Sequence, residues 1–253
     1  MIITIITSLL IGLTAGVFGG ILGIGGGLIM IPLMVGVLKL TQHKAHGTSL
    51  VALVFTGIGG AITYASNGSV DFTGAALLAV TAVLTAPLGA RYCYALTGKK
   101  LKIYFGAFLI FCSALLFLKP YLTDAIGTVP NYEKIIILLT TGAFTGFLSG
   151  MMGVGGGTIM IPVMVILAGF TQHVAQGTSL LVMVPTGAIG SFTHWKMGNV
   201  EKGALWGLIP GIILGTYLGG NIANIIPNDS LRLVFASMLI FVGVRYFRTA
   251  SPE

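Results

Sequence analysis

Four glycines stand within five positions at Gly23, Gly25, Gly26 and Gly27, inside a long apolar stretch, and the string returns at Gly153, Gly155, Gly156 and Gly157. Apart from proline, glycine is the least favourable residue in a helix interior, so each string should break a helix. A helix restarting after the break points its positive N-terminus and unpaired N–H groups at whatever lies ahead, which suits an anion. Close helix packing alone is the competing reading of the same glycines. Further on, Gly47-Thr48-Ser49 and Gly177-Thr178-Ser179 directly precede apolar runs and read as helix starts. Hydroxyls at such a position cap the first turn, lend hydrogen bonds to a small oxyanion, or do both. The candidate substrate-binding residues are therefore Gly25, Gly26, Gly27, Thr48 and Ser49, with Gly155, Gly156, Gly157, Thr178 and Ser179.

Gln42 and His43 recur as Gln172 and His173, whereas His46 is matched by Gln176. An imidazole can accept a coupling proton near neutral pH, and loop histidines are also commonly just solvated. Arg91 follows Pro87 by four residues in an apolar segment and aligns with Asn221. An arginine at that depth is either functional or snorkels to the interface. Gln42, His43, Gln172, His173 and Arg91 are thus candidates for coupling or gating. No metal-ligand cluster is present, and no cofactor is expected. Cys93 and Cys112 sit in apolar stretches and read as packing residues, and Asn67-Gly68-Ser69 reads as a turn rather than a glycosylation site. The six acidic residues, Asp71, Asp124, Glu133, Glu201, Asp229 and Glu253, all fall near expected loops or the terminus, which removes the usual ligand of a cation carrier. A net charge of +7 also favours an anion. The glycine string is neither Gly-x-Gly-x-x-Gly, since Leu28 takes the last place, nor an ATP loop. No enzyme is indicated, and any transport would run on a gradient or downhill unless a separate ATPase assists.

These residues belong to one duplicated unit. Between Gly16–Leu50 and Gly146–Leu180, 20 of 35 aligned positions are identical without a gap. Hydrophobic residues make up 55% of the chain and charged ones 8%, against about 25% charged in a soluble domain. The chain therefore reads as an all-α, polytopic integral membrane protein, because its long segments are apolar on every face rather than alternating as in a barrel. The first segment has no basic leader region and no cleavage site, and reads as a retained span rather than a signal peptide. Each repeat contains about five apolar segments: 2–22, 28–40, 47–65, 72–96 and 101–119, then 134–152, 158–170, 177–195, 202–226 and 231–247. The second segment of each is too short for a full span, so it is a half-helix, a tilted short span or part of a re-entrant hairpin. Eight to ten membrane segments are expected.

Basic residues set the orientation, since cytoplasmic loops carry the excess of positive charge. Lys39 and Lys44, then Lys99, Lys100 and Lys102, mark two such loops in the first half. In the second half the positives move to Lys196 and Lys202 and to Arg245 and Arg248. The basic loops have exchanged sides of the repeat, as an odd number of crossings per repeat produces. Two inverted-topology repeats with both termini cytoplasmic are expected, a plan of secondary transporters. The divisions are 1–119 for the first repeat, 120–133 for the inter-repeat loop and 134–253 for the second repeat.

The duplicated order of Gly23 to Gly27, Pro32 and Gly47 to Ser49, then Gly153 to Gly157, Pro162 and Gly177 to Ser179, resembles the TauE/SafE family of membrane permeases over nearly the whole chain. The resemblance implies seven or eight spans in the bacterial cytoplasmic (inner) membrane. It also implies movement of small sulfur-containing anions such as sulfite, sulfonates or sulfoacetate, often outward. The expectation is a secondary permease working by alternating access, whose partners are a small anionic substrate and the lipid bilayer, with no nucleic acid and with homo-oligomerisation left open. Two other classes stand beside it: a passive anion channel, which would neither concentrate substrate nor saturate, and a non-transporting membrane scaffold.

Overall fold

The computed structural model describes residues 2–92, 106, 107, 109–118 and 130–250. Its helices are α1 (Ile2–Leu22), α2 (Gly27–Gly36), α3 (Gln42–Ser66), α4 (Phe72–Tyr92) and α5 (Leu109–Leu118). The second repeat supplies α6 (Asn131–Met152), α7 (Gly157–Ile166), α8 (Gln172–Lys196), α9 (Lys202–Ile225) and α10 (Asn228–Ala250). No strand occurs among the described residues. Among the described residues, five helices, α1, α3, α4, α6 and α9, are long and apolar enough to cross a membrane by length and composition. Cys93, the cluster Lys99, Lys100 and Lys102, the start of the fifth segment, most of the inter-repeat loop with Asp124, and Glu253 lie outside the described residues.

The helices α3 and α8 are equivalent in the duplication, yet they run antiparallel. Gly57 and Gly60 of α3 meet Leu180 of α8, whereas Gly187 and Gly190 meet Leu50. The repeats are therefore inverted relative to one another. They also exchange partners. Gly12, Gly16 and Gly20 of α1 step in the same direction along Leu208, Ile212 and Thr216 of α9, so these two helices are parallel. Gly142, Gly146 and Gly150 of α6 step likewise along Leu78, Ala82 and Ala86 of α4. Glycines every fourth residue let the backbones approach until side chains no longer separate them, the usual basis of tight association in a bilayer. Where α9 carries Gly211 and Gly215, α4 carries Thr81 and Thr85, whose hydroxyls each donate across the interface at 2.7 Å, to the carbonyls of Leu139 and Ala143.

The short second segment is a half-helix. The α1 helix ends level with Tyr64, whose hydroxyl donates to the Gly20 carbonyl at 2.9 Å. The glycine string then returns to the level of Leu53, halfway along α3, where Gly25 touches that side chain. From there α2 covers about 15 Å in ten residues and delivers the chain to the start of α3. The glycine string and the half-helix together make one crossing. Outside the bundle, apolar residues such as Leu84, Trp206 and Ile225 are exposed, as a lipid-facing surface requires.

One local expectation is corrected. The helices α3 and α8 begin at Gln42 and Gln172, not at Gly47 and Gly177. Their N-caps are Thr41 and Thr171, whose side chains accept from the backbone N–H of Lys44 and Val174. An ordinary threonine cap outranks the glycine as the starting signal, which leaves Thr48, Ser49, Thr178 and Ser179 inside their helices.

Candidate functional site

Both glycine strings turn inward and meet between α3 and α8. Positive φ at Gly23, Gly25 and Gly26, and at Gly153 and Gly155, carries the chain through turns that residues with a Cβ rarely adopt. A Cβ on Gly27 would meet the Gly153 carbonyl and Val154, and one on Gly157 would meet the Gly23 carbonyl and Ile24, so the two backbones are in contact. Leu53 and Met183, equivalent residues of α3 and α8, wall this crossing against Gly25 and Gly155. The whole crossing is buried. The strings have identical glycines but not identical paths, since Gly26 has φ 77° and Gly156 has φ −65°.

The breaks leave donors exposed to nothing but protein. Among the described residues, no acceptor is found for the N–H groups of Ile24 through Leu28 or of Val154 through Thr158. The carbonyls on the entry side are held instead. Ser179 donates to the Gly23 carbonyl at 2.7 Å, and Ser49 donates to the Gly153 carbonyl at 2.8 Å. Thr48 Oγ1 accepts from the Glu201 N–H at 2.9 Å, and Thr178 Oγ1 accepts from the Asp71 N–H at 3.0 Å. Thus the four hydroxyls tie each repeat to the other, and the serine protons are committed to backbone. The arrangement presents clustered amide N–H groups at two buried half-helix N-termini, a configuration that favours negative charge.

The remaining candidates separate to the ends. Gln42 Nε2 lies 3.0 Å from His46 Nε2, and exposed His43 is within electrostatic reach of buried His194. At the other end both ring nitrogens of His173 are engaged, Nδ1 with Asn228 at 2.7 Å and Nε2 with the Ala223 carbonyl at 2.9 Å, which ties α8 to the α9–α10 junction. Gln172 is buried with neither amide atom hydrogen bonded among the described residues. Arg91 is exposed at the end of α4, remote in depth from the crossing. No group of three or more metal-binding side chains occurs among the described residues.

Three residues of this architecture carry no signal in the repeat alignment. Tyr64 has a single hydroxyl hydrogen that faces two acceptors, the Gly20 carbonyl and Gln176 Oε1, each at 2.9 Å. Its equivalent is His194, whose Nε2 faces the Gly150 carbonyl at 3.3 Å. Glu201 forms an ion pair with Lys44 at 2.9 Å across the end of the bundle. All three lie beyond the identical stretch; equivalence by position could have linked Tyr64 to His194, whereas nothing in the sequence points to the pairing of Glu201 with Lys44.

The family described as sulfite exporter TauE/SafE matches residues 8–246. The chain belongs to the TauE/SafE family. Similar proteins cover nearly its full length. A probable membrane transporter protein, YunE, of Bacillus subtilis is 27% identical over 92% of this chain and 93% of its own. A probable membrane transporter protein of Xylella fastidiosa is 28% identical over 96% and 94% of the two chains. A third, MJ0441 of Methanocaldococcus jannaschii, is 26% identical over 93% and 92%. No solved structure matches. This TauE/SafE chain is a multi-pass membrane transporter and not an enzyme, and its glycine strings and cross-repeat hydroxyl bonds fall within the matched region.

Proposed function

We propose that this protein is a secondary permease for small sulfur-containing anions such as sulfite, sulfonates or sulfoacetate, and that it exports them across the cytoplasmic (inner) membrane. The observation that carries this reading is the pair of N–H clusters at Ile24 through Leu28 and Val154 through Thr158, buried at the crossing and without acceptors among the described residues. An oxyanion offers several acceptor atoms and negative charge, which unpaired amides and two helix N-termini both reward. Gly25, Gly26, Gly27, Gly155, Gly156 and Gly157 bind through backbone, while Thr48, Ser49, Thr178 and Ser179 hold the strings in place.

Inverted repeats make the mechanism symmetric. The same sequence in opposite orientation can hold the site open to one side and then, by exchanging conformations, to the other. In the described state the crossing is buried from both sides, and relative movement of the halves 1–119 and 134–253 opens one end at a time. Charge assigns the sides. Lys39, Lys44, Arg91, Lys196, Lys202, Arg245 and Arg248 stand at the end where α3 starts and α10 finishes, against Lys134 and Arg232 at the other. The first end is cytoplasmic, with both termini, by the excess of positive charge.

The test is the thermal stability of detergent-purified protein against sulfite, sulfate, thiosulfate, taurine, sulfoacetate, carboxylates and chloride, followed by liposome flux. A bound ligand stabilises the folded form. Stabilisation by sulfur oxyanions together with saturable flux supports the reading. A panel without a shift and flux that grows linearly with concentration refutes it.

A further inference from the structure

Among the departures from the two-fold relation, one pair of positions introduces titratable groups. On one side of the crossing Tyr64 of α3 pairs with Gln176 of α8, and neither side chain changes charge near neutral pH. The equivalent positions on the other side hold His194 of α8 and His46 of α3. Three of the four histidines, His43, His46 and His194, gather at that end.

His194 is fully buried, and its Cβ lies 3.0 Å from where a Cβ on Gly47 would stand, next to His46. Its Nε2 faces the Gly150 carbonyl, which can only accept, so Nε2 carries the hydrogen. In the neutral ring Nδ1 is then a bare acceptor, and among the described residues nothing donates to it. Protonation at Nδ1 would turn this unpaired acceptor into a donor, against the cost of placing charge in a buried ring. Its neighbours are few. From α3 come His43 and His46, the latter facing the Gln42 amide. The α6 helix offers the Gly150 carbonyl, and the segment after α8 offers Asn199, whose N–H donates to the His194 carbonyl. Glu201 is occupied by Lys44, Lys196 lies over the Phe192 ring and Lys202 over the Trp195 ring. On α4, Arg91 and Tyr92 are exposed at the helix end, with the Tyr92 ring against Phe147.

We propose that His194 Nδ1, beside His46, is a proton-binding site on the cytoplasmic side of the glycine crossing, and that its protonation draws the anion into the site from that side. The sidedness and the anion rest on the function proposed above. His46 backbone is in contact with Gly153, at the start of the second glycine string, so a charge gained at this corner stands beside the entrance to the N–H cluster. Proton and anion then favour one another's binding, and by linkage the effect is reciprocal.

The duplication supplies its own control. His46→Gln with His194→Tyr recreates the uncharged pair that the other half of this fold accommodates at Gln176 and Tyr64. In liposomes, sulfoacetate flux is followed while the pH on the cytoplasmic face is lowered from 7.5 to 5.5, a range over which the charge of this anion is constant. The charged fraction of an imidazole grows with each step of acidification across that range. Flux of the unaltered protein is expected to rise several-fold and that of the double variant to stay flat. A double variant that keeps the unaltered pH profile overturns the proposal. Ring 15N spectra of histidine-labelled protein provide a second readout that needs no transport. A His194 resonance that titrates, with a midpoint displaced by His46→Gln, is expected. A His194 ring that stays neutral to pH 5.5 refutes the proton site, whereas titration in a protein that moves none of the anions refutes the transport reading alone.

Discussion

The Ser49 hydroxyl lies 2.8 Å from the carbonyl oxygen of Gly153, 104 residues away in the other repeat. Ser179 returns the bond to Gly23 at 2.7 Å. Each glycine string is therefore braced by the repeat to which it does not belong, and the site cannot form in one half alone.

Removing either brace should loosen the crossing. Ser49→Ala and Ser179→Ala each leave a buried carbonyl without its donor, and each is expected to lower stability by about 0.5–2 kcal/mol. Thermal unfolding in detergent checks this. An unchanged midpoint in both variants would show that the bonds contribute nothing to holding the strings.

The two strings should answer differently to the same change. Alanine at Gly26 must adopt φ 77° and its Cβ runs into the Ala15 carbonyl, so about 2 kcal/mol or more of stability should be lost. Alanine at Gly156 keeps an ordinary helical φ of −65° and meets Met160 Cε at 2.9 Å and Thr145 Cβ at 3.0 Å, contacts that a small shift can relieve. Gly156→Ala is expected to unfold near the unaltered temperature yet transport poorly, because the added methyl stiffens the second glycine string. Equal destabilisation of the two variants would contradict the backbone difference.

Lys44 and Glu201 clasp the start of α3 to the segment before α9, and the equivalent positions, Val174 and Asp71, cannot form such a pair. With side chains 45% and 34% exposed, the pair contributes under about 1 kcal/mol to stability. Lys44→Ala should hence leave the melting temperature almost unchanged while speeding opening at this end. Faster labelling of Ala45→Cys, buried in the first turn of α3, in the Lys44→Ala background would report the opening, and an unaltered labelling rate would remove the clasp from the gating scheme.

Sidedness can be read directly. In a background with Cys93 and Cys112 replaced by alanine, Lys196→Cys should react with an impermeant thiol reagent only from the cytoplasmic side. Asn67→Cys, exposed at the α3–α4 turn, should react only from the opposite side. Labelling of both from one side would discard the inverted arrangement, and the reverse sidedness would discard the cytoplasmic assignment.

Much of this protein was legible in its residues taken in order. Composition specifies a helical membrane protein because a bilayer leaves the backbone no other partner than itself. The 35-residue repeat establishes the duplication, and the shift of lysines and arginines between its copies establishes the inversion, which the antiparallel α3 and α8 display. The glycine breaks are local as well, since four glycines in five residues cost a helix too much wherever they stand.

Other features depend on contacts between residues far apart in the chain. That α1 lies on α9 and α6 on α4 follows from matching glycine and threonine spacings across repeats, and many alternative pairings of small-residue faces look equally good in a list of segments. Thr48 and Ser49 resembled helix caps because their short-range surroundings fit a cap. Their actual partners, the Glu201 N–H and the Gly153 carbonyl, are 153 and 104 residues distant. The substitution of His194 for Tyr64 had no meaning until the two-fold axis made them equivalents. Local order in the chain sets propensity and insertion, which act over a few residues. Which buried hydroxyl, amide or imidazole finds a partner is decided by the packing of whole helices, and only the tertiary structure records that.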